Sequence, residues 1–267
     1  MTAGAVTDRR SVDLPTSTMT VDRTGAGEPI IVVHGEDGTL FTDPMVEALG
    51  QHRTVHLVHL PGWGVSPGSD HVEGVDDLAL LVSEYASAEF DDRVPVIGFS
   101  FGGWVVAQAA VLDLHSFSHV ALVAPVGVKT TGRQDRSYVD LWATDADELR
   151  SRLYGAPERI PDLRNLDDDQ FLRLAHAGEA VARHAWQPYL FDPKLARRLA
   201  RLTAPVLIVT GDRDRFVLEP NFGDRWAELV GGSSQHVVLD GVGHRIEEEA
   251  PADLARVVNE FLEAEHR

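Results

Sequence analysis

Not one of the 267 residues is a cysteine. Disulfides, thiolate metal sites and a cysteine nucleophile are therefore excluded, and a reducing compartment is compatible. Long apolar runs are also missing. No stretch approaches the ~20 apolar residues that a membrane span requires. The opening MTAGAVTDRRSVDLPTSTMT has no apolar segment of signal-peptide type. Basic charge is scarce, with 24 Lys and Arg against 42 Asp and Glu and a net charge of −18. A surface this acidic repels phosphate backbones and anionic headgroups, so neither nucleic acid nor a membrane is an expected partner, and the acid balance serves solubility. Internal repeats and low-complexity tracts are absent too. These absences lead us to expect a soluble, cytoplasmic protein, monomer or homodimer, whose partner is a small-molecule substrate.

What is present is a core. At 43% hydrophobic residues the chain has ample material for one large α/β unit. Short β-branched runs at 29–35, 54–60, 94–100, 119–125, 204–211 and 234–241 each end in Gly, Pro or a polar residue. Most are apolar throughout, as suits strands buried on both faces of a parallel sheet. One or two edge strands are expected before the GAGE turn at 25–28. Helical patterns fall between the runs, at 43–51, 75–90, 101–114, 220–230 and 251–265. Strand–helix alternation of this kind predicts a doubly wound, mostly parallel α/β sheet flanked by helices. From 128 to 200 the rhythm breaks, with helical composition, many aromatics and no convincing strand. This segment is expected to be an inserted helical cap on a core made of 1–127 and 201–267.

Gly98-Phe99-Ser100-Phe101-Gly102 follows one buried strand and opens a helix. Glycines at both ends let the strand turn abruptly, so the hydroxyl is lifted above the sheet edge and faces the N–H groups of the new helix. A serine still needs a base, and the base needs an orienting acid. Among twelve histidines, His244 lies in the glycine-flanked loop DGVGH after the last strand, at the sheet edge where sites of open α/β folds assemble. The loop GDRD at 211–214 supplies two acids. Asp214, further from the strand end, is the favoured partner, and Asp212 suits a turn cap.

The order Ser100, Asp214, His244, with HG at 34–35, LPGWGVS at 60–66, GFSFGG at 98–103, GDRD at 211–214 and GVGH at 241–244, resembles the α/β-hydrolase family over residues 20 to 265. The resemblance implies a serine nucleophile at Ser100, a base at His244 and the carboxylate of a G-x-x-D loop at Asp214. It also implies an oxyanion hole made by the backbone N–H groups of Glu36 and Phe101, each such donor being typically worth about 3–4 kcal/mol. A substrate pocket is expected around His34, Gly35, Phe99, Trp104, Tyr138, Trp142 and Trp186. No cofactor and no metal is expected.

Glu36 and Asp37 depart from the small or apolar residues common after HG in the family. A carboxylate beside an oxyanion hole opposes the developing charge, so the Glu36 side chain is expected to turn away and leave only its N–H. The alternative is a burial-raised pKa that makes Glu36 a proton donor. Trp63 suits packing, and the cap arginines Arg133, Arg136 and Arg150 suit solvated surface or, in the second instance, a substrate carboxylate. The expected function is hydrolysis of a small or medium apolar ester, thioester or lactone. One rival is C–C bond hydrolysis: GDRDRFV at 211–217 is similar to the acid loop of meta-cleavage-product hydrolases, although Arg245 stands where those enzymes tend to carry Trp. The other is a non-hydrolytic cyclase, lyase or ligand-binding relative.

Overall fold

In the computed structural model, residues 8–132 and 134–264 are described. Eight strands form one sheet, ordered β1-β2-β4-β3-β5-β6-β7-β8. In chain order, β1 is Asp8–Asp13, β2 Thr18–Gly25, β3 Glu28–Val33, β4 Arg53–His59, β5 Val94–Phe99, β6 Phe117–Val123, β7 Val206–Gly211 and β8 Ser234–Leu239. Only β1 and β2 run antiparallel to their neighbours; every pairing from β4 across to β8 is parallel. The central strands β3 and β5 to β7 are buried along most of their length, which explains their continuous apolar sequence.

Helices α1 (Asp43–Gly50), α2 (Val75–Glu89) and α3 (Phe101–Leu112) come first. Next are α4 (Ala146–Leu153), α5 (Asp168–Ala185) and α6 (Leu195–Arg198), and finally α7 (Phe222–Leu229), α8 (Ile246–Glu249) and α9 (Pro251–Glu263). Two apolar layers separate on the sheet faces. One joins α2 and α3 to Val33, Val58, Val96 and Leu122. The other joins α1 and α9 to Ile30, Val32, Ile97 and Val209. Neighbouring strand residues thus divide between the layers, following the two-residue period of side chains along a strand.

Strand and helix limits fall within two residues of the sequence expectation, with two shifts of consequence. The run 94–100 stops as a strand at Phe99, because Ser100 leaves the extended conformation. The final helix is described to Glu263, and the expected end at 265 lies outside the described residues. Between β6 and β7 the chain makes α4, α5, α6 and three short 3-10 turns, with no strand of the sheet among the described residues. Leu153, Ala177, Ala180 and Val181 of this segment join the α2–α3 layer. No helix among the described residues is long and apolar enough to cross a membrane.

Candidate active site

At the carboxyl end of β5 the chain turns through Ser100, whose φ of 45° lies in a region that side-chain-bearing residues rarely occupy. The turn survives because its neighbours over-determine it. Ser100 N–H donates to Val123 O at 2.8 Å, and Ser100 O accepts from Trp104 N–H and Val126 N–H, each at 3.2 Å. Glycine is needed on either side for close approach. A Cβ at Gly98 would sit 2.3 Å from Gly102 O, and one at Gly102 would sit 2.2 Å from His34 O. The motif therefore reads as packing around a bend, with α3 starting at Phe101 immediately after it.

The two distant partners arrive from the ends of β7 and β8. His244 Nε2 lies 2.8 Å from Ser100 Oγ, and its Nδ1 lies 2.8 Å from Asp214 Oδ2. An ionised carboxylate only accepts, so Nδ1 carries the proton and Nε2 is free to accept from the serine hydroxyl. Asp214 is itself oriented, its Oδ1 accepting from Phe216 N–H at 2.9 Å and Val217 N–H at 3.1 Å. Asp212 faces elsewhere, accepting from Val242 N–H at 3.2 Å and so tying the two loops together. The β6–β7 segment also holds the histidine: Leu153 O, at the end of α4, accepts from His244 N–H at 2.7 Å and Arg245 N–H at 3.2 Å. Burial opposes a charge on the His244 imidazole. Asp214 outweighs it, with help from Glu36, and holds the pKa above its ordinary 6.5. This arrangement can draw a proton from Ser100 Oγ onto Nε2 and stabilise the imidazolium that results.

The residue next to His244 organises an ion cluster. Arg245 is 3% exposed. Its guanidinium lies 3.2 Å from Glu36 Oε1, against Asp37, and 3.9 Å from both Glu247 Oε1 and Glu248 Oε1. Glu248 Oε2 also accepts from the Tyr154 hydroxyl at 2.6 Å. Burial pushes Glu247 up to about 7 and Glu248 up to about 8, against the pull of Arg245.

Glu36 corrects both sequence expectations. Its side chain does not turn away to solvent: it is 6% exposed, with Oε1 3.2 Å from the Arg245 guanidinium, and Glu36, Asp37 and Arg245 line one cavity. Its pKa is not raised either. Burial opposes its charge, but Arg245 foremost, then His244, hold the carboxyl below its ordinary value. Neither carboxylate oxygen makes a hydrogen bond of good geometry. The loop is fixed through the backbone, Trp63 Nε1–H donating to Glu36 O at 3.0 Å.

The cavity itself measures about 310 Å³. Its walls include Glu36, Asp37 and Arg245, with Leu141, Trp142, Leu149, Leu153 and Val181 from the β6–β7 segment. Of the residues expected to line a pocket, Trp142 lines this cavity and Tyr138 lines a separate hollow near Tyr189. His34 is fully buried, its Nε2 accepting from Leu60 N–H at 3.2 Å and its Nδ1 lying 2.8 Å from Gly35 O; burial drops its pKa to about 3. Gly35 holds the turn through a bridge to Gly38. Phe99 points to the opposite, α1–α9 layer, as strand alternation requires. Trp104 is core and packs edge-on to Phe101. Tyr138 donates its hydroxyl to Val128 O at 2.6 Å and stacks on Phe216, which in turn packs against His244 at 4.6 Å. Trp186 is 57% exposed and lies edge-on against Trp142 from outside. Arg150 lines the cavity, Arg136 faces a separate hollow near Tyr189, and Arg133 lies outside the described residues. A larger hollow of about 420 Å³ lies between the 61–72 loop and α5; neither hollow is lined by Ser100, His244 or Asp214, and the smaller one adjoins the triad through Arg245, the neighbour of His244.

Known proteins bear on this geometry at two levels. Two curated relatives are similar along most of their length, both named pimeloyl-[acyl-carrier protein] methyl ester esterase. That of Xanthomonas oryzae pv. oryzae is 29% identical over 245 residues, covering 85% of this chain and 91% of the relative. That of Xylella fastidiosa is 26% identical over 239 residues with the same coverage. Among solved structures, a bacterial membrane phospholipase A superposes with a TM-score of 0.77 at 22% identity, covering 96% of this chain and 86% of the other. A meta-cleavage product hydrolase superposes with a TM-score of 0.76 at 18% identity, covering 96% and 98%. These two structures share the fold. The alpha/beta hydrolase family model matches residues 30–257, a span that holds the sheet from β3 onward, the serine turn, the acid loop and the histidine loop. The chain belongs to the alpha/beta hydrolase family and is a hydrolase.

Proposed function

We propose that this protein is a carboxylic ester hydrolase, with Ser100 as nucleophile, His244 as general base and Asp214 as the orienting acid. The observation that carries the reading is the pair of 2.8 Å contacts joining Ser100 Oγ, His244 and Asp214, made by segments 30 and 144 residues apart. Ser100 Oγ attacks the acyl carbon while its proton passes to His244 Nε2. The carbonyl oxygen becomes an oxyanion, held by the N–H groups of Phe101 and Glu36. Collapse expels the alcohol, which takes the proton from Nε2 and leaves an acyl-serine. Water then gives its proton to Nε2 and its hydroxide to the acyl carbon; the acid departs, and the proton returns to Ser100 Oγ.

The β6–β7 segment serves as the cap, residues 128–200 on the core of 1–127 and 201–267. The mostly apolar walls that Leu141, Leu149, Leu153 and Val181 give the cavity suit a small or medium acyl group presented as an ester, thioester or lactone. The names of the curated relatives favour ester over C–C cleavage. The test compares p-nitrophenyl butyrate with a vinylogous diketone, using wild type and Ser100→Ala. Ester turnover in wild type alone supports the reading. Diketone cleavage without ester cleavage, or ester turnover retained in Ser100→Ala, overturns it.

A further inference from the structure

An oxyanion is held well only by N–H groups whose separation is fixed in advance, yet the two residues assigned that task, Glu36 and Phe101, come from different loops. Glu36 follows β3, and Phe101 opens α3 just after β5. β3 and β5 are neighbours, but their pairing ends at Val33 and Gly98, short of both residues. One side chain from a third loop touches each of them. Trp63, in the loop after β4, is fully buried. Its Nε1–H donates to Glu36 O at 3.0 Å, and its ring stacks on that of Phe101, with centroids 5.5 Å apart and planes 27° apart.

The surroundings fix the ring in turn. The 35–38 loop closes tightly against it: Gly38 N–H donates to Gly35 O at 3.2 Å, and a Cβ on Gly38 would lie 3.3 Å from Trp63 Cδ1. The backbone of Trp63 is tied within its own loop, its N–H donating to Leu60 O and its O accepting from Ser66 N–H, both at 3.0 Å. Leu60 N–H donates to His34 Nε2 at 3.2 Å, joining this loop to the end of β3. From α5, His184 stacks on the same indole, with centroids 5.6 Å apart and planes 20° apart. Packing alone would need only an apolar ring. Trp104 and Trp226 are buried indoles of that kind, and their Nε1 atoms make no hydrogen bond of good geometry. Trp63 differs from them in spending its one donor, and it spends it on the carbonyl of Glu36.

We propose that Trp63 is a positioning residue that sets the spacing of the two oxyanion donors, its N–H fixing the Glu36 peptide and its ring fixing Phe101. This rests on the ester hydrolase reading above and deepens it. Trp63 acts through Glu36 and Phe101, so its contribution is largest when the carbonyl oxygen carries charge and smallest when a neutral substrate binds.

Trp63→Phe keeps a stacking ring and removes the N–H. With p-nitrophenyl butyrate, kcat is expected to fall at least about tenfold, with KM within about twofold, because a slightly misplaced group costs up to about 10²-fold. Acylation and deacylation both pass through the oxyanion, so the loss appears whichever step limits. Two inhibitors separate positioning from general loosening. Propylboronic acid takes Ser100 Oγ onto boron as the serine proton passes to His244, giving a tetrahedral anion; butyramide, of the same length, binds neutral. The variant should lose affinity for the boronic acid in proportion to its loss of kcat and bind butyramide as wild type does. A kcat within about threefold of wild type, or butyramide weakened as much as the boronic acid, overturns the proposal. Should Trp63→Phe fail to fold, replacement of Trp63 by benzothienylalanine, which has the shape of the indole with sulfur in place of N–H, carries the same measurements. Fluorophosphonate labelling of wild type separates the two readings. A labelled Ser100 with Trp63→Phe fully active sinks the positioning role alone, and a wild type that neither labels nor turns over the ester sinks the hydrolase reading beneath it.

Discussion

Ser100 keeps a φ of 45°, a conformation that costs about 1–3 kcal/mol for a residue with a side chain and that lifts its oxygen clear of the sheet. Gly98 and Gly102 make the bend possible by having no Cβ. Gly98→Ala places a carbon 2.3 Å from a backbone oxygen and is expected to lower stability by about 3 kcal/mol, the upper range of overpacking, measured as the denaturant midpoint. His244 gives a pH signature. Its pKa lies above 6.5 because Asp214 and Glu36 favour its charged form over the penalty of burial. The neutral imidazole is the base, so kcat/KM should fall as pH drops, with a midpoint above 6.5. Asp214→Asn should cost about 10⁴-fold in kcat while leaving the fold in place; a loss below tenfold would place the acid elsewhere. That Ser100, His244 and Asp214 meet, with Asp212 turned to Val242 N–H instead, was legible from short motifs and from the family resemblance, because each sits after a strand at one sheet edge. The ion cluster was only half legible. Arg245 with three glutamates at 247–249 is a visible charge run, but Glu36 and Asp37 join it from more than 200 residues earlier.

Elements divide by how much their own sequence determined them. The parallel strands carry β-branched runs that suit nothing else, and α9 carries Leu254, Val257, Val258, Phe261 and Leu262 on one buried stripe. Leu254, fully buried against α1 and the sheet, lies far from the chemistry. Leu254→Ala should therefore cost about 2–5 kcal/mol of stability, read by thermal unfolding, with kcat per folded molecule unchanged. The β6–β7 segment was legible as helical but not in its facing. Tyr138 and Trp142 lie in irregular chain before α4, and Trp186 follows the end of α5, so no periodicity reports which of them meets the cavity. Trp142 faces in, Trp186 packs on its outer edge, and Tyr138 braces Phe216 behind the histidine.

Across the molecule, some of the 42 acidic residues lie where they are least expected, inside the protein. Glu247 and Glu248 have folded pKa values of about 7 and 8, above the ordinary 4.5. Groups raised in this way stabilise fully below their unfolded values and lose that contribution as pH rises through the folded ones. Thermal stability should therefore decline from pH 6 to pH 9. Asp22, whose carboxyl the Arg9 and His59 partners hold below its ordinary value against burial, contributes a constant amount over that range. Glu248→Gln should flatten the decline, and a stability that climbs toward pH 9 would refute the burial of protonated acid. The central claim concerns the meeting of Ser100, His244 and Asp214, and it can be tested on the intact chain by mass spectrometry after exposure to a fluorophosphonate. The account predicts a single adduct on the peptide containing Ser100, lost in Ser100→Ala and formed far more slowly in His244→Ala. An unmodified Ser100 after prolonged exposure, or an adduct that forms as fast without His244, would contradict it.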